Sequence, residues 1–308
     1  MAHQEDATSD IGLLVLAAGM GSRFGGVKQI EGVGPGGEAL IDYSIYDALR
    51  SGFRRIVFVV REEIREDVES FFAGKIPEDV TVRFVNQRLD DLPGTFQPPG
   101  GREKPWGTAH AVYAAREEMP LPFAMINGDD FYGRESFESM ADFLRGRSNT
   151  EAHYGLVGFR LDRTLSPHGS VSRALCEVKE DGSVGSIVEH KSIRYGDDGI
   201  VSEDRDSRRH LTGSELTSMN MFGFTPSFFG QLEVEMTRFL SNKVQDPKSE
   251  IYVPWALNNL IASGKAQLTA LRTDAQWFGM TYREDKPAVE EALRRYVEAG
   301  VYPGSLWD

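Results

Sequence analysis

Among 308 residues the chain has one cysteine, Cys176. A disulfide within the chain is excluded, and this poverty of thiols suits a reducing compartment, so a cytoplasmic location is expected. The alternation around residues 174–178 reads as a strand, which makes Cys176 a packed core thiol rather than a nucleophile. No apolar run approaches the roughly 20 residues that span a bilayer, so no membrane partner is expected. Residues 1–10 carry no apolar stretch of signal-peptide type and read as a flexible N-terminus. Positive charge is also short: 34 Lys and Arg stand against 47 Asp and Glu, a net charge of −13. Such a surface repels the phosphates of DNA and RNA, and no nucleic acid is expected as partner. A small anion is still compatible, because a few placed cations reverse the field locally. Internal repeats and low-complexity segments are missing too.

What remains is an ordinary globular balance, 40% hydrophobic and 26% charged. Residues 11–18 form a continuous apolar run that ends in glycines, the pattern of a strand buried on both faces. A helix is expected over 38–51, a strand over 56–60, a helix over 62–72 and a strand over 80–85. This β-α-β-α-β order implies parallel strands in an open, doubly wound α/β sheet. The proline- and glycine-rich segment 88–106 interrupts it, at a length typical of binding loops or lids. A helix over 107–118 and a strand over 123–127 restore the rhythm. After about residue 150, strands over 154–160, 170–178, 184–189 and 218–224 are joined by turns, and helices follow over 226–240, 251–263 and 285–299. The polar stretch 194–214 reads as a mobile excursion.

The strongest chemical signal lies in the loop after the first strand, Gly19-Met20-Gly21-Ser22-Arg23-Phe24-Gly25-Gly26-Val27-Lys28. Glycines let backbone N–H groups turn toward an anion, and open α/β sheets bind ligands at the carboxyl ends of their strands. Phe24 stands where a dinucleotide fingerprint needs glycine, and the Gly-Lys-Ser/Thr ending of a Walker loop is missing. A glycine loop with Arg23 inside it and Lys28 after it suits a triphosphate: arginine offers a planar fork and lysine a point charge. The plainer alternative is a tight turn with solvated basic residues.

Leu16-Ala17-Ala18-Gly19-Met20-Gly21-Ser22-Arg23, followed by Lys28, resembles the signature of the sugar-phosphate nucleotidylyltransferases, with Val27 in place of the usual proline. The resemblance implies a Rossmann-like doubly wound, mostly parallel mixed sheet with a C-terminal sugar-binding elaboration. It implies one nucleotidyltransferase domain over 11–308, with a nucleotide-binding half over 11–133 and an acceptor-binding half over 134–308. Leu16, Ala17, Ala18, Gly19, Gly21 and Ser22 would line the nucleotide, Arg23 would hold the triphosphate, and Lys28 would hold phosphate at the reacting centre.

Further elements join the resemblance. Gln87 ends the third strand; its amide offers a donor and an acceptor to a base edge, and in the family a glutamine in this region reads the base. Gly107-Thr108-Ala109-His110-Ala111 resembles the family's Gly-Thr-x-His-Ala element and places Gly107 and Thr108 at the nucleotide, while His110 reads equally well as a buried structural histidine. Asp129 and Asp130 follow the strand over 123–127; acids at this sheet edge are expected ligands for Mg²⁺, Asp129 first, although paired acids at a turn also serve as caps. Residues 187–191 resemble the family's Glu-Lys-Pro element, which suggests Glu189 and Lys191 for the acceptor, or else a solvated strand end; Asn220 sits in the strand whose asparagine contacts the sugar. Many relatives have Trp-x-Asp-x-Gly-Thr near the C-terminus, where the aspartate supplies a second metal ligand. Here Trp277-Phe278-Gly279 puts glycine there, and Asp285 is the available substitute.

The expected activity is Mg²⁺-dependent transfer of a nucleotidyl group from a nucleoside triphosphate, UTP or dTTP favoured, to a sugar 1-phosphate, with Arg23, Lys28 and Asp129 as catalytic residues. Two alternatives stand beside it: a cytidylyltransferase acting on a phosphorylated alcohol such as phosphocholine, and a non-catalytic nucleotide-sugar sensor.

Overall fold

The computed structural model describes residues 10–18, 32–197, 199–204, 207–279 and 282–307. The loop carrying Gly19, Gly21, Ser22, Arg23 and Lys28 lies outside the described residues, as do residues 1–9 of the N-terminus.

The first half alternates strands and helices as the apolar periodicities require. Strand β1 (Ile11–Leu16) is buried at every position and pairs in parallel with β2 (Phe53–Val60) and β4 (Phe123–Asn127). Helix α1 (Leu40–Arg50) precedes β2, and α2 (Glu62–Phe72) leads to β3 (Thr81–Asn86), which pairs in parallel with β2. The short helix α3 (Thr108–Ala114) packs over β1 and precedes β4. A two-residue strand, β5 (Asp130–Phe131), and helix α4 (Arg134–Leu144) complete this half. Helix α4 buries Phe137, Met140, Ala141 and Leu144, spaced as one helical face.

The second half is built mainly from antiparallel strands on the same sheet. In chain order they are β6 (His153–Arg160), β7 (Val171–Val178), β8 (Val184–Gly196), β9 (Gly199–Asp204), β10 (Ser207–Leu211) and β11 (Leu216–Phe224). Helices α5 (Ser227–Lys243) and α6 (Val253–Ala262) cover one face. Strand β12 (Gln267–Arg272) pairs in parallel with β6, β13 (Phe278–Gly279) pairs with β5, and helix α7 (Lys286–Glu298) follows. Among the described residues eleven strands form one mixed α/β sheet running β10-β9-β8-β7-β11-β4-β1-β2-β3, with β6 and β12 branching from β11, and β5 and β13 pair apart from it. Two large apolar clusters fill its faces: Leu14, Met125 and Phe222 on one, Leu13, Val15 and Ile126 on the other.

Of the segment 194–214, read from its polarity as a mobile excursion, residues 194–196, 199–204 and 207–211 instead belong to β8, β9 and β10. Its outward residues are charged, as an exposed ladder requires, while Ile193, Ile200 and Leu211 turn inward with Leu161, Val171 and Leu175. Charge on one face of a two-residue period hid the strands.

Strand β11 changes partners midway. Thr217 and Ser218 pair with Leu175 and Ala174 of β7, whereas Phe222 to Phe224 pair with β4. Between them the register against β6 slips, and Asn220 takes φ +62°, a left-handed conformation that asparagine tolerates better than most residues. The sheet therefore forks at Asn220, and β4 and β7 separate there.

Candidate functional site

The fork opens at the carboxyl end of β4, beside the end of β1. The Gly128 N–H donates to the Leu16 carbonyl at 2.9 Å, and the Ala17 N–H to the Val59 carbonyl at 2.8 Å. These bonds bring Leu16, Ala17 and Ala18 next to the turn that carries Asp129 and Asp130. A hydrogen-bonded row then crosses the fork. Asn220 Nδ2 lies 3.5 Å from Asn127 Oδ1, and Asn127 Nδ2 donates to Asp130 Oδ2 at 2.8 Å. The Tyr132 hydroxyl accepts from the Asn127 N–H at 3.0 Å. It lies 2.9 Å from the Met219 carbonyl and 3.3 Å from Asp130 Oδ2, with one hydrogen to share between them. Ser44 Oγ donates to the Asp130 carbonyl at 3.0 Å, which pins the turn to α1.

Asp129 is half-buried and Asp130 is buried. Burial raises the Asp130 carboxyl well above the usual range, and the neighbouring Asp129 charge pushes the same way, against the Asn127 amide, the Arg173 charge and the Tyr132 hydroxyl. Arg173 is itself buried; its Nε donates to the Thr164 carbonyl at 3.1 Å, its Nη1 to the Ser172 carbonyl at 2.8 Å, and its guanidinium lies 4.9 Å from the Trp277 ring. Burial brings it down to about 10, while Asp130 and Asp285 hold it up.

Gly279 pairs with Asp130 across β13 and β5. A Cβ at Gly279 would stand 2.9 Å from Asp130 Oδ1 and would overlap the Trp277 ring. The indole occupies the space that a longer side chain at position 279 would need. Asp285 does not take over. Its Oδ1 accepts from Ser166 Oγ at 2.8 Å and its Oδ2 from the Tyr282 N–H at 2.8 Å. These bonds commit it to the start of α7. Among the described residues no group of three or more His, Cys, Asp or Glu stands close enough to hold a metal ion, so Asp129, Asp130 and Asp285 do not form one ligand set. Asp129 and Asp130 present two adjacent carboxylates, within the one or two that Mg²⁺ commonly takes before phosphate and water complete its octahedron. A cavity of about 410 Å³ borders Gly279, lined also by Arg173, Trp277, Ser166 and Asp285.

Glu189, Ala174 and Ser218 line up across β8, β7 and β11, placing Glu189 two strands from the fork. Glu189 and Lys191 are exposed. On the other side of β4, Gln87 is buried; its Nε2 lies 3.2 Å from the Gly107 carbonyl and 3.0 Å from His110 Nδ1. Gly107 has φ +96°, and a Cβ there would lie 2.5 Å from the Ile251 carbonyl, so both its conformation and its close contact require glycine. Thr108 Oγ1 accepts from the Val253 N–H at 3.1 Å and caps α6.

The segment 88–106 is not a loose lid. Trp106 is fully buried and donates from Nε1 to the Leu89 carbonyl at 2.9 Å. Arg102 stacks on that indole at 3.3 Å and donates to the Ser249 carbonyl at 2.7 Å. Arg116 grips Asp91 through two bonds of 2.8 and 2.9 Å.

Residues 13–243 match the model of the family described as Nucleotidyl transferase. The chain belongs to the nucleotidyl transferase family. No curated protein matches it. Solved structures share the nucleotidyl transferase fold at low identity. The inositol-1-phosphate CTP transferase of T. maritima is 16% identical with a TM-score of 0.58, over 93% of this chain and 96% of that one. A protein described as a glucose-1-phosphate thymidylyltransferase of Bacillus anthracis is 13% identical with a TM-score of 0.60, over 92% and 95%. A UDP-glucose pyrophosphorylase, solved with UDP-glucose, is 16% identical with a TM-score of 0.58, over 92% and 98%.

Three residues at the fork carried no separate weight in the sequence. Asn127 and Tyr132 flank the acidic pair within Asn127-Gly128-Asp129-Asp130-Phe131-Tyr132, and their signal was proximity to it. Arg173 comes from a distant strand with no local motif.

Proposed function

We propose that this chain transfers a nucleotidyl group from a nucleoside triphosphate to a sugar 1-phosphate and releases pyrophosphate. One observation carries the reading: the row Asn220–Asn127–Asp130 joins the strand expected to hold the acceptor to the acidic turn beside the end of β1. The solved relatives named for sugar-phosphate and sugar-nucleotide chemistry support the same substrate class.

The attacking group is a phosphate oxygen, already largely ionised at neutral pH because its second pKa is about 6, so no general base is needed. Positioning and charge stabilisation then carry the rate. The acceptor oxygen attacks the α-phosphorus in line, the new P–O bond forms as the bond to the β-phosphate oxygen breaks, and pyrophosphate leaves. Asp129 and Asp130 would hold Mg²⁺, which supplies charge neutralisation at the phosphates. Arg23 and Lys28 offset charge on the triphosphate. Asn127 orients the Asp130 carboxyl, and Asn220 orients Asn127 and faces the acceptor. Glu189 and Lys191 extend the acceptor side.

A second reading is cytidylyl transfer to a phosphorylated alcohol, with phosphocholine or a cyclitol phosphate as acceptor. The similarity to an inositol-1-phosphate CTP transferase favours it. A non-catalytic nucleotide-sugar sensor is favoured by Gly279 alone, where Trp277 fills the space beside Asp130. The test is pyrophosphate release with UTP, dTTP, CTP, GTP and ATP, each against sugar 1-phosphates, inositol 1-phosphate and phosphocholine, with Mg²⁺. Release with UTP or dTTP and a sugar 1-phosphate is the expected result. Release only with CTP and a phosphorylated alcohol establishes the second reading, and nucleotide binding without release under any pair establishes the sensor.

A further inference from the structure

We propose that His110 is a positioning residue that fixes the Gln87 amide, so that only its carbonyl oxygen is presented to a nucleobase. The proposal rests on the reading of Gln87 as part of the nucleotide site.

Two backbone carbonyls determine the orientation of both side chains. The Gly107 carbonyl can only accept, so the Gln87 atom 3.2 Å from it is the amide nitrogen. That nitrogen has a second hydrogen, which faces His110 Nδ1 at 3.0 Å and makes Nδ1 an acceptor. The imidazole proton then sits on Nε2, and Nε2 lies 2.9 Å from the Asp91 carbonyl, which again can only accept. The chain Gln87 → His110 → Asp91 is self-consistent in one tautomer only. A charged imidazole would set Nδ1–H against the Gln87 amide hydrogens, and burial of the fully enclosed ring favours the neutral form. Asp91 belongs to the segment 88–106, where Arg116 grips its carboxylate, so the packed insertion braces the far end of the same chain.

Both Gln87 N–H groups are therefore spent on the protein. What the side chain has left is the acceptor Oε1. A base meeting it must present an N–H: uracil and thymine do so with the imide N3–H, whereas cytosine has an acceptor at N3 and must shift to bring its exocyclic amino group to Oε1. A freely rotating glutamine would flip and serve either base. The lock removes that freedom, so discrimination would come from His110 although His110 touches no base.

The test pairs a variant series with a measurement on the wild type. His110→Leu removes the acceptor for Gln87, whereas His110→Asn keeps one, with Oδ1 near the place of Nδ1. The expected result is that His110→Leu raises KM for UTP and lowers the UTP-to-CTP ratio of kcat/KM about tenfold, the factor that ~1.4 kcal/mol represents, with a smaller change in kcat. His110→Asn should recover most of the ratio. In the wild type, ¹⁵N NMR of the imidazole should show Nδ1 unprotonated and Nε2 protonated. An unchanged ratio in folded His110→Leu overturns the proposal, and so does a protonated Nδ1 in the wild type, which holds even where the leucine variant fails to fold. Wild-type protein that neither binds UTP nor releases pyrophosphate overturns the underlying reading instead, and the NMR result still decides the lock.

Discussion

Two buried acids in this molecule live in opposite company. Asp130 sits at the fork of the sheet beside a second acid, Asp129, with asparagines and a tyrosine around it. Asp47, on α1, sits under the C-terminal tail: the Tyr302 hydroxyl donates to its Oδ2 at 2.6 Å and Arg134 Nε lies 3.6 Å from its Oδ1. Burial raises both, Asp47 to about 7. At Asp47 the Tyr302 hydroxyl and the Arg134 charge favour the carboxylate, the Glu138 charge opposing them is the smallest influence, and rings of Tyr43, Tyr46 and Tyr296 close around Tyr302. At Asp130 the adjacent acid adds repulsion that a fold alone has no use for. Placing like charges together at a sheet edge makes sense where a cation and phosphates complete the site; placing an acid under a tyrosine and an arginine makes a structural clasp. Substitutions at the fork should therefore cost turnover, and substitutions at the clasp should cost stability.

The largest effect is expected at the fork. Asp129→Ala should lower turnover by at least about 100-fold, or 2.7 kcal/mol of activation free energy, with the thermal midpoint nearly unchanged. Turnover at the wild-type rate would remove the acid from the reaction. Next comes the clasp, through pH. Below pH about 4 Asp47 is protonated in both the native and unfolded chain. Between about 4 and about 7 the unfolded chain loses that proton while the native chain keeps it, so this group's contribution to stability falls as pH rises, by at most about 1.4 kcal/mol per unit. Above about 7 its contribution is flat. Denaturant unfolding of Asp47→Asn should gain on the wild type across that window, and parallel curves would contradict the assignment.

A smaller effect is expected where the two regions meet, at Gly279. Gly279→Ala should force the Trp277 ring to move, costing about 1–3 kcal/mol as overpacking does and shifting tryptophan fluorescence. An unchanged spectrum and midpoint would mean the site absorbs the methyl freely. The smallest effect belongs to the tail: Trp307 Nε1 donates to Asp42 Oδ1 at 2.9 Å. Trp307→Phe should cost roughly 0.5–1.5 kcal/mol for that bond, read by thermal unfolding, with kcat unaltered.

The two halves of the chain were unequally legible. The parallel half announced itself because β1, β2 and β4 are buried on both faces and read as solid apolar runs: residues 11–18, 56–60 and 123–127 were expected, and Ile11–Leu16, Phe53–Val60 and Phe123–Asn127 are observed. The outer part of the antiparallel extension is far less buried, with few covered residues along β8 and β10. There Arg194, Arg208 and Arg209 dominate the composition while Ile193, Ile200 and Leu211 carry the fold. Helix α4 was not among the sequence expectations: Phe137, Met140, Ala141 and Leu144 mark its face, but it starts after Gly133 with no side-chain cap to signal its beginning. Strand β12 also went unread between α6 and Trp277. At the site, the motif around Asp129 and Asp130 was local and visible. The partner switch of β11 at Asn220, the burial of Arg173 and the lock on Gln87 depend on strand neighbours that no single stretch of sequence specifies.

The most direct measurement follows the label. Nucleoside triphosphate carrying ³²P at the α-position, incubated with the protein, Mg²⁺ and a sugar 1-phosphate, should yield a labelled nucleotide sugar and unlabelled pyrophosphate in equal amounts, and neither should appear with Asp129→Ala. Label that stays in the triphosphate across all bases and acceptors, or that appears in the monophosphate without a sugar product, would contradict nucleotidyl transfer to a sugar phosphate.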